Sequence, residues 1–175
     1  MSILQTDKEI EMSDETTTVL APERELEMTV LMTPDMANFS GNVHGGDLLK
    51  LLDQVAYSCA SRYAGQYVVT LSVDYVLFKE PIHVQELVTF KASVNYVGNS
   101  SMEIGVRVEA ENITTRQKRH TNSCYFTMVA VKDGKSTKVP PLCIESEEQK
   151  VRWNKALMRR KARKLSQKIL DDQPA

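Results

Sequence analysis

The chain has 175 residues, 42% of them hydrophobic, and a formal net charge of -1. That length suits one domain able to bury a sizeable core. The near-balanced charge argues against wholesale binding to nucleic acid or acidic membranes and leaves room only for local basic patches.

Residues 1–23 are polar and acidic (Asp7, Glu9, Glu11, Asp14, Glu15) and have no hydrophobic period. They are expected to form a disordered arm. The N-terminus lacks the basic start and apolar run of a secretory signal peptide. No segment is long and apolar enough to span a bilayer. A cytoplasmic protein is therefore expected, with Cys59, Cys124 and Cys143 as reduced thiols, because their wide spacing fits neither a zinc site nor a disulfide framework. Without export, the sequons at Asn38, Asn99 and Asn112 carry no meaning.

Residues 24–142 read as one domain. From Glu25 to Thr33, Leu26, Met28, Val30 and Met32 alternate onto one face, which predicts a strand broken by Pro34-Asp35. A loop over 38–42 leads into a helix from Val43 to about Tyr63. Projected at the helical angle, Leu48, Leu49, Leu51, Leu52, Val55, Ala56, Cys59 and Ala60 cover a broad arc. Strands follow over 68–78, 88–97, 102–110 and 120–131. In the third of these, Met102, Ile104, Val106, Val108 and Ala110 oppose Glu103, Gly105, Arg107 and Glu109. Pro140-Pro141 closes the domain. Residues 143–175 form a charged helix and tail, acidic first (Glu145, Glu147, Glu148) and basic last, an order that suits the helix macrodipole. Val151, Met158, Ala162, Leu165 and Ile169 recur at helical spacing as a face to dock on the domain. One strand, one long helix and four successive strands predict an α+β fold with an antiparallel sheet curled around the helix.

The segment Asn38-Phe-Ser-Gly-Asn-Val-His-Gly-Gly-Asp-Leu-Leu carries the chemistry-bearing residues. Gly45 and Gly46 stand where the helix begins, each costing about 1 kcal/mol against alanine in a helix interior. They leave room for close approach to the backbone, where unpartnered N–H groups would stabilise an oxyanion; they equally suit a tight turn. Asp53 lies at the border of the apolar arc. It reads either as a general base or nucleophile, or as a solvated aspartate one turn from Lys50. Asn38 could orient a water or a carbonyl through its amide, or make a local turn. Histidine is the side chain most often used as a general acid or base, but His44 has no evident partner and reads as structural.

These residues resemble the hotdog-fold acyl-CoA thioesterases, in particular the brain-type acyl-CoA hydrolases and their single-domain bacterial relatives. The likeness runs from about Glu25 to Lys164. It rests on the helix-entry motif, Leu-Leu-Asp53-Gln-Val-Ala, Val-Thr-Leu-Ser72-Val-Asp, Asn99-Ser-Ser-Met-Glu-Ile-Gly-Val, Gln117-Lys-Arg and Val-Pro-Pro141. It implies a curved antiparallel sheet around one central helix. It further implies a homodimer, often assembled as a trimer of dimers, with two sites between subunits and Asn38 and Asp53 of each site on different subunits. The implied reaction is hydrolysis of an acyl-CoA to fatty acid and coenzyme A. The carbonyl would be polarised near Gly45 and Gly46, and coenzyme A would run past Ser72 to the Asn99-Ser100-Ser101 turn. Neither metal nor cofactor is implied, since thiolate leaves readily.

Three other readings compete. A non-catalytic acyl-CoA sensor would not need both Asn38 and Asp53. A nucleic-acid binder would use the basic helix, whose acidic start repels phosphate. A hotdog dehydratase would pair a histidine with an acid in a different local pattern.

Overall fold

The computed structural model describes residues 22–172; the expected acidic arm lies, except for its last two residues, outside the described residues. Strand β1 (Glu25–Leu31) leads through a 3-10 turn (Pro34–Met36) to helix α1 (Gly45–Ala64). Strands β2 (Val68–Val73), β3 (Glu86–Val97), β4 (Ser101–Asn112) and β5 (Lys118–Lys132) follow. A two-residue strand β6 (Lys135–Ser136) and helix α2 (Glu147–Asp171) complete the chain. The main sheet runs β1-β3-β4-β5-β2, with every pairing antiparallel. Among the described residues no helix is long and apolar enough to cross a membrane.

Helix α1 starts at His44, whose Nδ1 accepts the Gly46 N–H at 3.0 Å. It ends at Gly65, which sits at φ 63°, a left-handed conformation that glycine adopts without steric cost. Of the predicted apolar arc, Leu51 is half-buried and Leu49 exposed, whereas Leu48, Leu52, Val55, Ala56, Cys59 and Ala60, joined by Tyr63, are buried against the inner face of the sheet. There they meet Phe90, Ile104, Phe126 and Met128, all fully buried. The Tyr63 hydroxyl donates to the Pro141 carbonyl at 2.9 Å and so ties the segment after β5 across the end of α1.

Two expectations need correction. The strand predicted over 68–78 ends at Val73. From there to Lys79 the chain stays extended beside β5 through single bonds, Asp74 N–H to the Tyr125 carbonyl and Lys79 N–H to the Thr121 carbonyl, without forming a ladder. Helix α2 covers part of the polar face of β4 and leaves Glu103 only 2% exposed. Finally, α2 docks by the opposite side from the one its apolar spacing suggests. Ala156 is its one buried residue, flanked by Trp153, Arg159 and Arg163, whereas Val151, Met158, Leu165 and Ile169 are exposed.

Candidate active site

The loop over 38–42 folds around its own asparagine. Asn38 Oδ1 accepts the N–H groups of Ser40 (2.9 Å) and Asn42 (3.1 Å), an Asx-type turn. Those two donors identify which end of the amide is oxygen. The Asn38 carboxamide is thus half occupied: its acceptor is committed to the loop, and its Nδ2 donors are left for something else. Main-chain bonds fix the loop against the domain, from Val43 N–H to the Ile82 carbonyl (2.8 Å) and from His44 N–H to the Met36 carbonyl (2.8 Å). Asn38 is thereby carried beside the head of α1.

The two glycines at that head have different roles. A Cβ on Gly46 would lie 3.1 Å from His44 Nδ1, so glycine here admits the capping ring. The Gly46 N–H is itself the one the cap receives, which removes it from the expected pair of oxyanion donors and gives His44 the structural role. A Cβ on Gly45 would meet only the Phe78 ring, at an ordinary 3.7 Å. Among the described residues nothing therefore demands glycine at that position. Its N–H is one of the unpartnered donors of a helix start, and among the described residues no acceptor engages it.

Asp53 lies two turns further on. Its Oδ1 accepts the Thr70 hydroxyl at 2.7 Å, not the Lys50 partner that a solvated role would offer. Thr70 was missed from sequence. It carries no local signal, because a strand residue and a helix residue meet only once the sheet has wrapped α1. The carboxylate is exposed, yet its surroundings are apolar. Leu49 and Tyr57 stand exposed one turn to either side, and Val73 and Tyr75 are exposed at the end of β2 and just beyond it. Large apolar side chains left exposed beside a sheet edge are a mark of an interaction site. β2 is also an edge of the sheet, with ladder groups unpaired on its far side among the described residues.

The remaining expected residues lie elsewhere. Ser72 is opposite Thr127 across a bulge at Leu71, and Thr127 is opposite Glu103, which faces α2. Directly opposed residues share a face, so Ser72 is on the outer side of the sheet while Thr70 is on the inner. The Asn99-Ser100-Ser101 turn is strapped by its carbonyls: Val139 N–H bonds Asn99 (3.1 Å), Ala130 N–H bonds Ser100 (2.9 Å) and Gly98 N–H bonds Ser101 (2.7 Å). Ser101, Val129 and Val69 stand in one row across β4, β5 and β2, which places the turn at the Thr70 end of the sheet.

Cysteine chemistry is disfavoured at the core. Burial pushes the Cys59 and Cys124 thiols up to about 12, so neither is a thiolate near neutral pH. Among the described residues no group of three His, Cys, Asp or Glu side chains converges in a way that could hold a metal ion.

The chain is similar to known proteins over most of its length. Residues 40–116 match the thioesterase superfamily. Protein VdlD of Helicobacter pylori is 52% identical over 143 residues, 82% of either chain. The cytosolic acyl coenzyme A thioester hydrolase of Homo sapiens is 36% identical over 70% of this chain, which spans 33% of that longer protein. An acyl-CoA hydrolase from Staphylococcus aureus, solved with butyryl coenzyme A and coenzyme A, superposes with a TM-score of 0.75 at 30% identity, covering 85% of this chain and 93% of that one. A hexameric acyl-CoA thioesterase superposes at 0.80 with 34% identity, covering 84% and 96%. Variants of the Staphylococcus aureus protein have been solved with an asparagine, an aspartate or a threonine replaced by alanine. Those three positions are spaced along that chain as Asn38, Asp53 and Thr70 are along this one.

Proposed function

The chain belongs to the thioesterase superfamily and is an acyl-CoA thioester hydrolase of the hotdog fold, and we propose that it works through two equivalent sites, each built between paired protomers. One observation carries this reading. Gly45 and Asp53 are on the same straight helix, eight residues apart, so the helix head and the carboxylate are separated by about 12 Å along the axis. Reacting groups must come within about 3.5 Å of their target. One chain therefore offers two half-sites that cannot meet on one carbon. Antiparallel pairing along the β2 edge supplies the missing half, and it covers the exposed Leu49, Tyr57, Val73 and Tyr75.

In this arrangement the thioester oxygen lies against the Gly45 N–H of one protomer, with the Asn38 Nδ2 as a second donor. The other protomer presents Asp53. Its Oδ1 is held by the Thr70 hydroxyl, which leaves Oδ2 to take a proton from water. The resulting hydroxide adds to the carbonyl carbon, and charge builds on the oxygen facing Gly45. The intermediate collapses with loss of coenzyme A thiolate, which recovers the proton held by Asp53. The products are a fatty acid and coenzyme A, and no cofactor takes part. Coenzyme A passes between the protomers toward the Asn99-Ser100-Ser101 turn at the Thr70 end of the sheet, with Ser72 on the opposite face from Asp53.

The assembly is a homodimer, with a trimer of dimers as the larger form, and the protein acts in the cytoplasm. The test is a hydrolysis screen over short, medium and long acyl-CoAs with released thiol as readout, alongside sedimentation of the same samples. Turnover by a dimer or larger species, lost in Asp53→Asn, supports the reading. Full turnover by a monomer contradicts it.

A further inference from the structure

Helix α2 lies over the outer face of the sheet, closest at β3, and its side-chain contacts follow the strand order. Arg152 pairs with Glu25 at the start of β1, at 3.1 Å. The Trp153 ring centre lies 4.7 Å from that of Tyr96 near the end of β3. Arg159 forks onto Glu103 of β4 and stacks 3.5 Å over the Tyr125 ring of β5. Arg163 pairs with Asp74, the residue after β2. At that point the helix has reached the sheet edge, but it continues to Asp171.

Every residue from Lys164 to Asp171 is exposed. At 1.5 Å per residue this overhang extends about 12 Å past Arg163, enough to cross about two strands of a neighbouring sheet. Leu165, Ile169 and Leu170 are 61%, 53% and 64% exposed on it. Two helical turns without tertiary support are marginal in water, and three large aliphatic side chains give them no reason to stay there.

We propose that these two turns are a clasp for a second copy of the chain, lying on the outer face of the protomer paired along the β2 edge. The inference rests on the pairing proposed above, because the overhang is continuous with that edge and points past it. A two-fold contact is self-complementary, so each clasp meets the β2 region of the other copy, where the bulged Leu71 is 68% exposed. The side of α2 toward its own sheet is already filled by the arginines and Trp153, which explains why the aliphatic residues were left over.

The test is Leu165→Gln with Ile169→Gln in the full chain, with a second variant ending after Arg163. Sedimentation and subunit exchange read the dimer dissociation constant. Circular dichroism and Trp153 fluorescence read the fold, since Trp153 sits in the docked half. The clasp predicts a dissociation constant raised about tenfold or more in both variants, faster exchange and an intact Trp153 environment. An unchanged dimer constant in folded variants overturns it. So does a hexamer that falls only to stable dimers, which would give the overhang to contacts between dimers. Val73→Lys is the separate arm for the underlying pairing. If that change leaves the dimer constant untouched, the β2 interface itself is wrong and the clasp falls with it. If it breaks the dimer while the helix variants do not, only the clasp fails.

Discussion

The head of α1 and its middle make an instructive contrast. At the head, nearly every polar group is engaged by the chain itself: Asn38 Oδ1 by the loop, the Gly46 N–H by His44, the Val43 N–H by Ile82. Among the described residues the donors left over are the Gly45 and Asp47 N–H groups and Asn38 Nδ2. In the middle, the residual group is an acceptor, Asp53, held by Thr70 and surrounded by exposed apolar side chains. One region is finished and offers donors; the other is unfinished and offers a base. A thioester needs both, and the helix holds them too far apart to share within one copy.

The largest effect should come from the middle. Asp53→Asn keeps the Thr70 hydroxyl bond to an amide oxygen but removes the base, and turnover should fall by about 10²–10⁴-fold with sedimentation unchanged. Next comes a pair that separates the two functions of Asn38. Asn38→Asp keeps the acceptor for Ser40 and Asn42 and replaces the donors with a second carboxylate oxygen, which also sets a negative charge where the oxyanion would form. It should lose most activity at near wild-type thermal stability. Asn38→Ala loses both functions, so activity and melting temperature should drop together, the latter by the equivalent of about 1–2 kcal/mol. Equal stability of the two variants would show that the loop bonds matter less than the geometry suggests.

The glycines sharpen the contrast further. Gly45→Ala fits its own chain, since only the Phe78 ring is near, so stability should hold while turnover falls. Gly46→Ala pushes on the His44 cap at 3.1 Å, so it should cost about 1 kcal/mol of stability, with a smaller change in rate. The reverse pattern in melting curves and initial rates would exchange the roles assigned to them. The mildest change is Thr70→Val, which frees Asp53 to swing. It should lower kcat by about tenfold with KM little altered.

Much of this was legible in the residues. Period and breakers located α1 and the five strands β1 to β5, because an amphipathic arc or an alternating face is a direct imprint of burial. The predicted strand over 68–78 overran because Tyr75 and Leu77 continue an apolar alternation on a surface that is exposed in one chain. The α2 face was misread for a related reason. Apolar spacing identifies a face that avoids water, not which neighbour covers it, while the docked side is held by arginines on Glu103 and Asp74. Asn38 and Asp53 could be named from the resemblance, but the division of labour at Asn38, the cap at His44 and the bond from Thr70 depend on tertiary contacts that no spacing encodes.

The separation of the two half-sites is best tested by mixing two inactive proteins, Asp53→Asn and Asn38→Asp, under conditions of demonstrated subunit exchange. Half-sites contributed by different protomers predict that heterodimers regain one intact site, so hydrolysis returns toward a quarter of the wild-type rate, about half the dimers being mixed and each carrying one of two sites. A mixture that exchanges fully and stays as inactive as its parents would contradict the account.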